Sequence, residues 1–219
     1  MSVEVMKSYF PRFTEAFFLT IRIGWMGVIL ALVIGLITAF TVQWKIPLFA
    51  KLAGVYIEIF RNTPLLVQLF FIYFGLPKIG IRIPAQIVGV VGIGLLGGSY
   101  MAEGFRSGLE SVSKAQTESA IALGMTRFLV FQYVVLPEAF ALSVPAILAN
   151  VIFLLKETSV FSAISLMDLM FTAKDLIGLY YNTAESLFLL VLFYLIMLLP
   201  VSLLGGVVEQ KVRVRMLGD

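Results

Sequence analysis

Uncharged apolar runs separated by short polar segments dominate this chain of 219 residues. Two runs, 23–42 and 83–102, each hold 20 residues without a charged side chain. A helix of about 20 apolar residues crosses the roughly 30 Å of bilayer hydrocarbon. The first run extends back to Ala16, which makes it too long for the apolar core of a signal peptide. We therefore expect two retained membrane helices here.

The other apolar runs are shorter or interrupted. Residues 139–155 and 186–208 predict two further spans. The uncharged run 65–76 holds only 12 residues and is too short to cross alone. A crossing helix there must reach back to about residue 53, which predicts one continuous helix over 53–76. The five predicted spans are about 16–42, 53–76, 83–102, 139–155 and 186–208.

The second predicted span brings two charged side chains into the membrane. Glu58 and Arg61 are three residues apart, so they share one face of a helix and are expected to form an ion pair. An unpaired charge at the bilayer centre costs at least about 2.5 kcal/mol, so we expect the pair to face protein or water. The alternative is an ion pair at the membrane interface with no further role.

One long polar segment, about 103–137, lies between the third and fourth predicted spans. Its pattern predicts two short amphipathic helices, 114–123 and 126–133, that are broken at Gly124. Leu136 and Pro137 are expected to turn the chain back into the bilayer. On periodicity alone, these helices fit a docking surface for another protein or an interfacial helix that lies on lipid headgroups.

The composition limits the kind of protein. Hydrophobic residues make up 60% of the chain and the mean hydropathy is +1.02, so we expect a single all-α membrane domain over residues 1–219. The chain has no Cys and no His, which excludes disulfides, thiol or His-based catalysis and the usual zinc sites. We expect no catalytic residue and no metal site. The dispersed basic residues give no nucleic-acid patch.

Two glycine-containing patterns have simple interpretations. Residues 92–97 match G-x-G-x-x-G, but they lie inside an apolar span with no strand before them, so we do not expect dinucleotide binding. Gly94 and Gly98 are instead expected to let two helices approach closely. The chain has no G-x-x-x-x-G-K-[ST] motif, so nucleotide chemistry would require another chain.

Five spans place the two termini on opposite sides of the membrane. Lys and Arg residues are slightly more numerous on the side of segment 103–137 and the carboxyl terminus, which favours a cytoplasmic carboxyl terminus and an external amino terminus. The eight basic residues on that side are Lys45, Lys51, Arg106, Lys114, Arg127, Lys211, Arg213 and Arg215. The six on the other side are Lys7, Arg12, Lys78, Arg82, Lys156 and Lys174.

Four sequence blocks carry a family resemblance. Glu118-x-Ala120-x-x-x-Gly124, followed by Leu136-Pro137, resembles the EAA loop of ABC importer permeases. Blocks 58–68, 102–108 and 156–159 resemble those of the polar amino acid uptake permeases of the histidine, glutamine and arginine type. The blocks occur in the same order and cover about residues 55–170. The family's usual Glu-Ala-Ala is Glu-Ser-Ala here, because Ser119 replaces an alanine.

This resemblance implies a type I importer permease with five membrane helices and a cytoplasmic coupling helix between spans 3 and 4. It implies partners: a second copy or a paralogue, two ABC ATPase subunits on the cytoplasmic face, and an external amino-acid-binding protein. The chain itself would carry no cofactor, since the ATPase binds ATP and Mg²⁺. The location implied is the cytoplasmic membrane of a prokaryote. The residues expected to couple to the ATPase are Glu118, Ala120, Gly124, Leu136 and Pro137.

Polar residues inside the predicted bundle are candidates for the substrate pathway, because hydrocarbon penalises them without a partner. They are Gln68, Tyr100, Asn150, Glu157, Thr158 and Ser159. The Glu157 carboxylate would favour an amino acid with a cationic side chain. Alternatively, Lys156 neutralises Glu157, or Glu157 caps the turn at Thr158.

Two other classes of membrane protein are less consistent with the sequence. An ion-coupled carrier or a channel would use ion gradients without ATP. An intramembrane enzyme would need catalytic groups, and the chain lacks His, Cys and any paired-carboxylate motif.

Overall fold

The fold is all helical. The computed structural model describes residues 2–44 and 47–217, without the side chains of residues 213 and 215–217, and these ranges contain no β-strand. The α-helices are α1 Val3–Gln43, α2 Pro47–Arg61, α3 Leu65–Phe70, α4 Ala85–Ser111, α5 Lys114–Ala122, α6 Arg127–Val130, α7 Leu136–Glu157, α8 Leu169–Tyr180 and α9 Thr183–Leu217. Two π-helical turns, Phe71–Gly75 and Phe131–Val135, and two 3-10 helices, Leu76–Ile79 and Thr158–Ile164, connect some of them.

Helices α1 and α4 run parallel through the centre of the molecule. A side chain at Gly27 would meet Ile93, and one at Gly35 would meet Met101, so residue numbers rise together along the pair. Parallel crossings in one chain require a return crossing between them. The bent unit of α2, α3 and the turns after α3 supplies that return, so it forms the second span.

The remaining helices alternate in direction. Gly108 of α4 lies against Ser143 of α7, whereas Gly97 lies against Leu154, so α7 is antiparallel to α4. Helix α9 is antiparallel to α7, because Gly205 lies near Leu148 while the Tyr194 hydroxyl lies 3.5 Å from Thr158 Oγ1. In the described part of the chain, four helical stretches are long and apolar enough to cross, and the bent unit makes five spans. The predicted fold class is confirmed.

Five crossings give the molecule two polar faces. The carboxyl-terminal face holds the ends of α1, α4 and α9 and the segment with α5 and α6. The amino-terminal face holds the start of α1, the turns before α4, and α8. Lys45 and the side chains of Arg213 and Arg215, which contribute to the predicted charge bias, lie outside the described residues.

Glycines bring α1 and α4 into close contact. A Cβ at Gly94 would lie 2.4 Å from Leu30 Cδ2, and one at Gly98 would lie 2.6 Å from Ile34 Cγ2. These distances are too short for any side chain larger than hydrogen. The predicted role of Gly94 and Gly98 in helix approach is confirmed, and the G-x-G-x-x-G pattern lies within this helix contact.

Two helices are longer than the predicted spans. Helix α1 begins at Val3 instead of about residue 16, because Tyr9 and Phe13 are buried against α8 and α9. The Phe13 ring stacks on Phe193 with 5.7 Å between centroids. Helix α4 continues to Ser111, well beyond residue 102, so the polar segment begins inside this helix.

Candidate functional site

A sharp elbow interrupts the second span. Helix α2 ends at Arg61 and α3 begins at Leu65. The axis of α2 and that of the helical stretch Leu65–Ile79 differ by 103°. The predicted continuous helix over 53–76 is therefore wrong. Pro64 explains the break, because proline has no N–H for the helical hydrogen bond and disfavours the helical conformation of the residue before it.

The prediction of an ion pair between Glu58 and Arg61 is also wrong. Among the described residues, the two side chains have other partners. Arg61 ends its helix, and its guanidinium turns towards α4, where Nη1 lies 3.8 Å from Glu103 Oε2. The same guanidinium lies 5.4 Å from the centre of the Tyr100 ring, a cation–π contact. Glu58 Oε2 instead accepts a hydrogen bond from Asn62 Nδ2 at 3.1 Å.

The contact between Arg61 and Glu103 begins a chain of charged side chains along α4. Arg106 donates to both carboxylate oxygens of Glu103, and its Nη1 also donates to Glu110 Oε1 at 2.5 Å. Residues 103, 106 and 110 share one face of α4, so the network runs from the elbow towards the carboxyl-terminal face. Each charge in the network has an opposite charge as its partner.

The elbow opens into a cavity of about 370 Å³ between α3, α4 and α7. A neighbouring, more polar cavity of about 400 Å³ shares Arg61, Asn62 and Tyr100 with it and adds Glu58. The side chains therefore present one guanidinium, two carboxylates and an aromatic ring to the same region. The first cavity is lined by Arg61, Asn62, Thr63, Pro64, Leu65, Leu66, Leu96, Tyr100, Phe153, Glu157 and Val160.

Two of the six predicted pathway residues, Tyr100 and Glu157, line this cavity. Within the described residues, the Glu157 carboxylate has no hydrogen-bond or ion-pair partner, and it does not cap the following 3-10 helix. Lys156 is not within ion-pair distance of it. Both alternative roles for Glu157, neutralisation by Lys156 and capping at Thr158, are therefore absent from the structure.

The other four predicted pathway residues do not line the cavity. Asn150 Nδ2 donates to the Tyr100 carbonyl at 3.1 Å, which joins α7 to α4. Thr158 is fully buried and donates to the Leu155 carbonyl at 2.7 Å. Gln68 donates to two carbonyls at the elbow. Ser159 is half-buried and lies outside the lining.

Among the lining residues that the sequence analysis did not predict for the pathway are Asn62 and Phe153. Asn62 had a usable signal, because Asn-Thr-Pro inside an apolar region is typical of a turn. Phe153 had none, since a phenylalanine in an apolar run does not differ from its lipid-facing neighbours.

The segment between α4 and α7 contains the predicted coupling residues. Helix α5 ends in a Schellman motif, in which the Met125 N–H donates to the Ala120 carbonyl at 3.2 Å and the Gly124 N–H donates to Ile121 at 2.9 Å. Gly124 has φ +87°, a left-handed conformation that favours glycine. No atom lies within 4 Å of a Cβ built there, so the backbone conformation, and not steric crowding, requires glycine.

Leu136 and Pro137 do not form the predicted turn back into the bilayer. The chain is helical from Arg127 to Ile164, and a π-helical turn, Phe131–Val135, precedes the Leu-Pro pair. Leu136 lines an apolar cleft between the ends of α1, α4 and α7. The segment is therefore joined to the fourth span without a break.

The exposed side of this segment carries large apolar side chains. Ala120 is buried, whereas Leu123 is 85% exposed and Phe128 is 72% exposed. Glu118 is exposed as well. Between α5 and the start of α7 lies a groove of about 610 Å³, with Ala120 and Pro137 in its lining. Exposed apolar side chains beside an open groove suit contact with another protein or with lipid.

Comparison with known proteins identifies the family. A family model described as the inner membrane component of binding-protein-dependent transport systems matches residues 31–214. The chain belongs to this family. The membership confirms the resemblance to ABC importer permeases, and it favours a transport subunit of the inner membrane over an ion-coupled carrier, a channel or an intramembrane enzyme.

Members of the family resemble the chain over nearly its full length. The arginine transport system permease protein ArtQ of Bacillus subtilis is 32% identical to this chain, and the alignment covers 93% of each protein. A putative glutamine transport system permease protein, GlnP, of Rickettsia felis is 31% identical and covers 95% of this chain and 97% of its own.

Two solved structures of ABC transporters have the same fold. A crystal structure of an amino acid ABC transporter with histidines has a TM-score of 0.91 at 32% identity, covering 96% of this chain and 99% of that one. An inward-facing structure of the MetNI methionine ABC transporter has a TM-score of 0.77 at 21% identity, covering 97% and 99%. At that lower identity the likeness concerns the fold alone.

Proposed function

We propose that this chain is the permease subunit of an ATP-driven importer of polar amino acids, with a preference for those that carry a cationic side chain. The cavity at the elbow is the observation that supports the proposal most directly. Arg61 offers a cation for an α-carboxylate, and Glu157 offers an unpaired carboxylate for a cationic side chain. A relative named as an arginine permease agrees with a cationic side chain, and one named as a putative glutamine permease agrees with a polar amino acid.

The partners follow from the family. Two ABC ATPase subunits would bind ATP and Mg²⁺ and dock on the carboxyl-terminal face, which would lie in the cytoplasm. A second copy of the chain or a paralogue would complete the permease pair. An amino-acid-binding protein would deliver substrate to the amino-terminal face. The chain itself would contribute no catalytic residue, no metal and no cofactor.

The segment between α4 and α7, which we call the coupling segment, would transmit movement of the ATPase. Glu118 is exposed for contact with the ATPase, while buried Ala120 holds α5 against the rest of the segment. Gly124 sets the bend after α5, and Leu136 and Pro137 join the segment to α7. Because α7 carries Glu157 at its other end, closure of the ATPase dimer would move the helix that lines the cavity.

Reconstitution tests the proposed function. The chain is purified with its ATPase and placed in vesicles with the binding protein, and uptake of each amino acid is measured with ATP or with an ion gradient. We expect uptake that requires ATP and ATP hydrolysis that rises with substrate. Uptake driven by an ion gradient without ATP would contradict the proposal and would favour a secondary carrier or channel.

The substitution Glu157→Gln tests the preference for a cationic side chain. It keeps the shape of the side chain and removes the charge. We expect the KM for arginine or lysine to rise about tenfold, which corresponds to about 1.4 kcal/mol of lost interaction, with little change for glutamine. Glu15→Gln, at an exposed position of α1, is the control for a lost carboxylate. An unchanged ratio of arginine to glutamine uptake would remove Glu157 from the selectivity site.

A further inference from the structure

The elbow in the second span leaves backbone carbonyls without their helical partners. Hydrocarbon contains no water to replace those hydrogen bonds, so a break at this depth is stable only if the protein supplies other donors. In an unbroken helix the residue at position 64 would donate its N–H to the Phe60 carbonyl. Pro64 has no N–H, so this carbonyl needs a donor from elsewhere.

Two further donors are local. Asn62 Nδ2 donates at 2.8 Å to the Glu58 carbonyl, which also keeps its helical partner, the Asn62 N–H, at 3.3 Å. Thr63 Oγ1 donates to the Ile59 carbonyl at 2.7 Å. Both bonds stay within the last turn of α2, so they complete that helix end without fixing the direction of α3.

Gln68 is different, because it joins the two sides of the break. From α3, its Nε2 donates to the Phe60 carbonyl at 3.1 Å and to the Thr63 carbonyl at 2.9 Å. One amide group therefore replaces the bond that Pro64 lacks and also pairs the carbonyl just before the proline. The side chain is only 7% exposed. Its Oε1 has no hydrogen-bond partner among the described residues, so Gln68 acts here through its donors alone.

The geometry points to Gln68 as a positioning residue for the transport cavity. By tying α3 to the Phe60 carbonyl of α2 and to the Thr63 carbonyl of the linker, it fixes the elbow and thereby the direction in which Arg61 and Asn62 face the cavity. Gln68 then acts without touching substrate. This inference rests on the proposed function for its effect on transport, whereas its effect on the elbow does not depend on that function.

A distance measurement tests the elbow directly. The chain has no Cys, so Leu52→Cys in α2 and Phe74→Cys after α3, both at exposed positions, take up two spin labels. Gln68→Met has similar length and no donors, and we expect it to shift and broaden the distance distribution between the labels. Thr38→Val is the matched control, because Thr38 is equally buried and makes only a hydrogen bond within its own helix.

A second variant separates lost donors from altered packing. Gln68→Leu also has no donors, but its branched side chain packs differently from that of Met. We expect the same direction of change as in Gln68→Met. An effect in the Met variant alone, with a normal distribution for Gln68→Leu, would assign the change to packing and overturn the inference. If the Met variant fails to assemble, the Leu variant still gives the distance.

Uptake kinetics test the link to the cavity. We expect both Gln68 variants to raise the KM for substrate about tenfold and to leave kcat within about twofold, because binding groups are displaced while the coupling segment is intact. A wild-type KM or a wild-type distance distribution in both variants would overturn the inference. A wild-type complex without ATP-dependent uptake would instead contradict the proposed function, and the distance measurement would still decide the role of Gln68 at the elbow.

Discussion

Two glycines, Gly80 and Gly124, have the same left-handed backbone conformation on opposite faces of the molecule. Their φ values are +88° and +87°, and neither has an atom within 4 Å of a built Cβ. A side chain at either position would therefore meet the same backbone strain and no clash. Only Gly124 lies in the segment that we expect to contact the ATPase. Comparing substitutions at the two glycines therefore separates the effect of backbone strain from loss of coupling.

Replacement of Gly124 is expected to uncouple the transporter. A residue other than glycine costs about 1–2 kcal/mol in this conformation, and Gly124→Val would relieve the strain by opening the end of α5. We expect ATP hydrolysis to persist, affinity for the binding protein to stay normal, and uptake per ATP to fall about tenfold. Uptake and phosphate release are measured on the same vesicles.

The control for this substitution is Gly80→Val, which carries the same strain at the turn before α4. We expect it to lower thermal stability by a similar amount and to leave uptake per ATP unchanged. Equal loss of coupling in both variants, or normal transport in Gly124→Val, would contradict the role assigned to Gly124.

At the scale of helices, one short sequence pattern produces both π-helical turns. Residues 71–77 and 131–137 each read Phe-x-Tyr-x-x-Leu-Pro. In each, the leucine N–H reaches back five residues, from Leu76 to the Phe71 carbonyl and from Leu136 to the Phe131 carbonyl. The following proline offers no N–H and its ring crowds the carbonyl four residues earlier, which favours a wider turn.

The wider turn before α7 sets the angular position of the coupling segment. Pro137→Ala restores an N–H, and we expect it to close the turn to an α-helix, which rotates the residues before it by about 100° relative to α7. Helix α5 would then present a different side to the ATPase. The predicted result is lower substrate-stimulated ATP hydrolysis and lower uptake.

Pro77→Ala is the matched substitution in the other π-helical turn. It changes the same local geometry on the amino-terminal face, opposite the face where we expect the ATPase to dock, so we expect ATP hydrolysis to respond to substrate as in the wild type. If Pro137→Ala also behaves as the wild type, the π-helical turn at Phe131–Val135 has no part in coupling.

For the whole molecule, the sequence predicted the number of crossings better than their internal structure. Uncharged runs define four of the crossings by their length, and the short run 65–76 had to reach back to about residue 53 to make the fifth. Five spans then place the termini on opposite sides. The elbow was missed because Pro64 was placed in a straight helix, although its missing N–H favours a break. The start of α1 was missed because Tyr9 and Phe13 are held by contacts with distant helices. Asn150 illustrates the same limit for the site, since the sequence shows a polar residue in the membrane but not the carbonyl that it bonds.

The orientation of the molecule in the membrane is the prediction on which the docking of both partners depends. Because the chain has no Cys, single substitutions can be labelled in intact cells with a maleimide that does not cross the membrane. Leu123→Cys lies on the carboxyl-terminal face and Tyr181→Cys on the amino-terminal face, and their side-chain positions are almost equally exposed, at 85% and 86%. We expect only Tyr181→Cys to react from outside, and both to react after the membrane is permeabilised. Reaction of Leu123→Cys from outside would place α5 away from the cytoplasm, where it could not contact an ATPase, and would refute the proposed coupling.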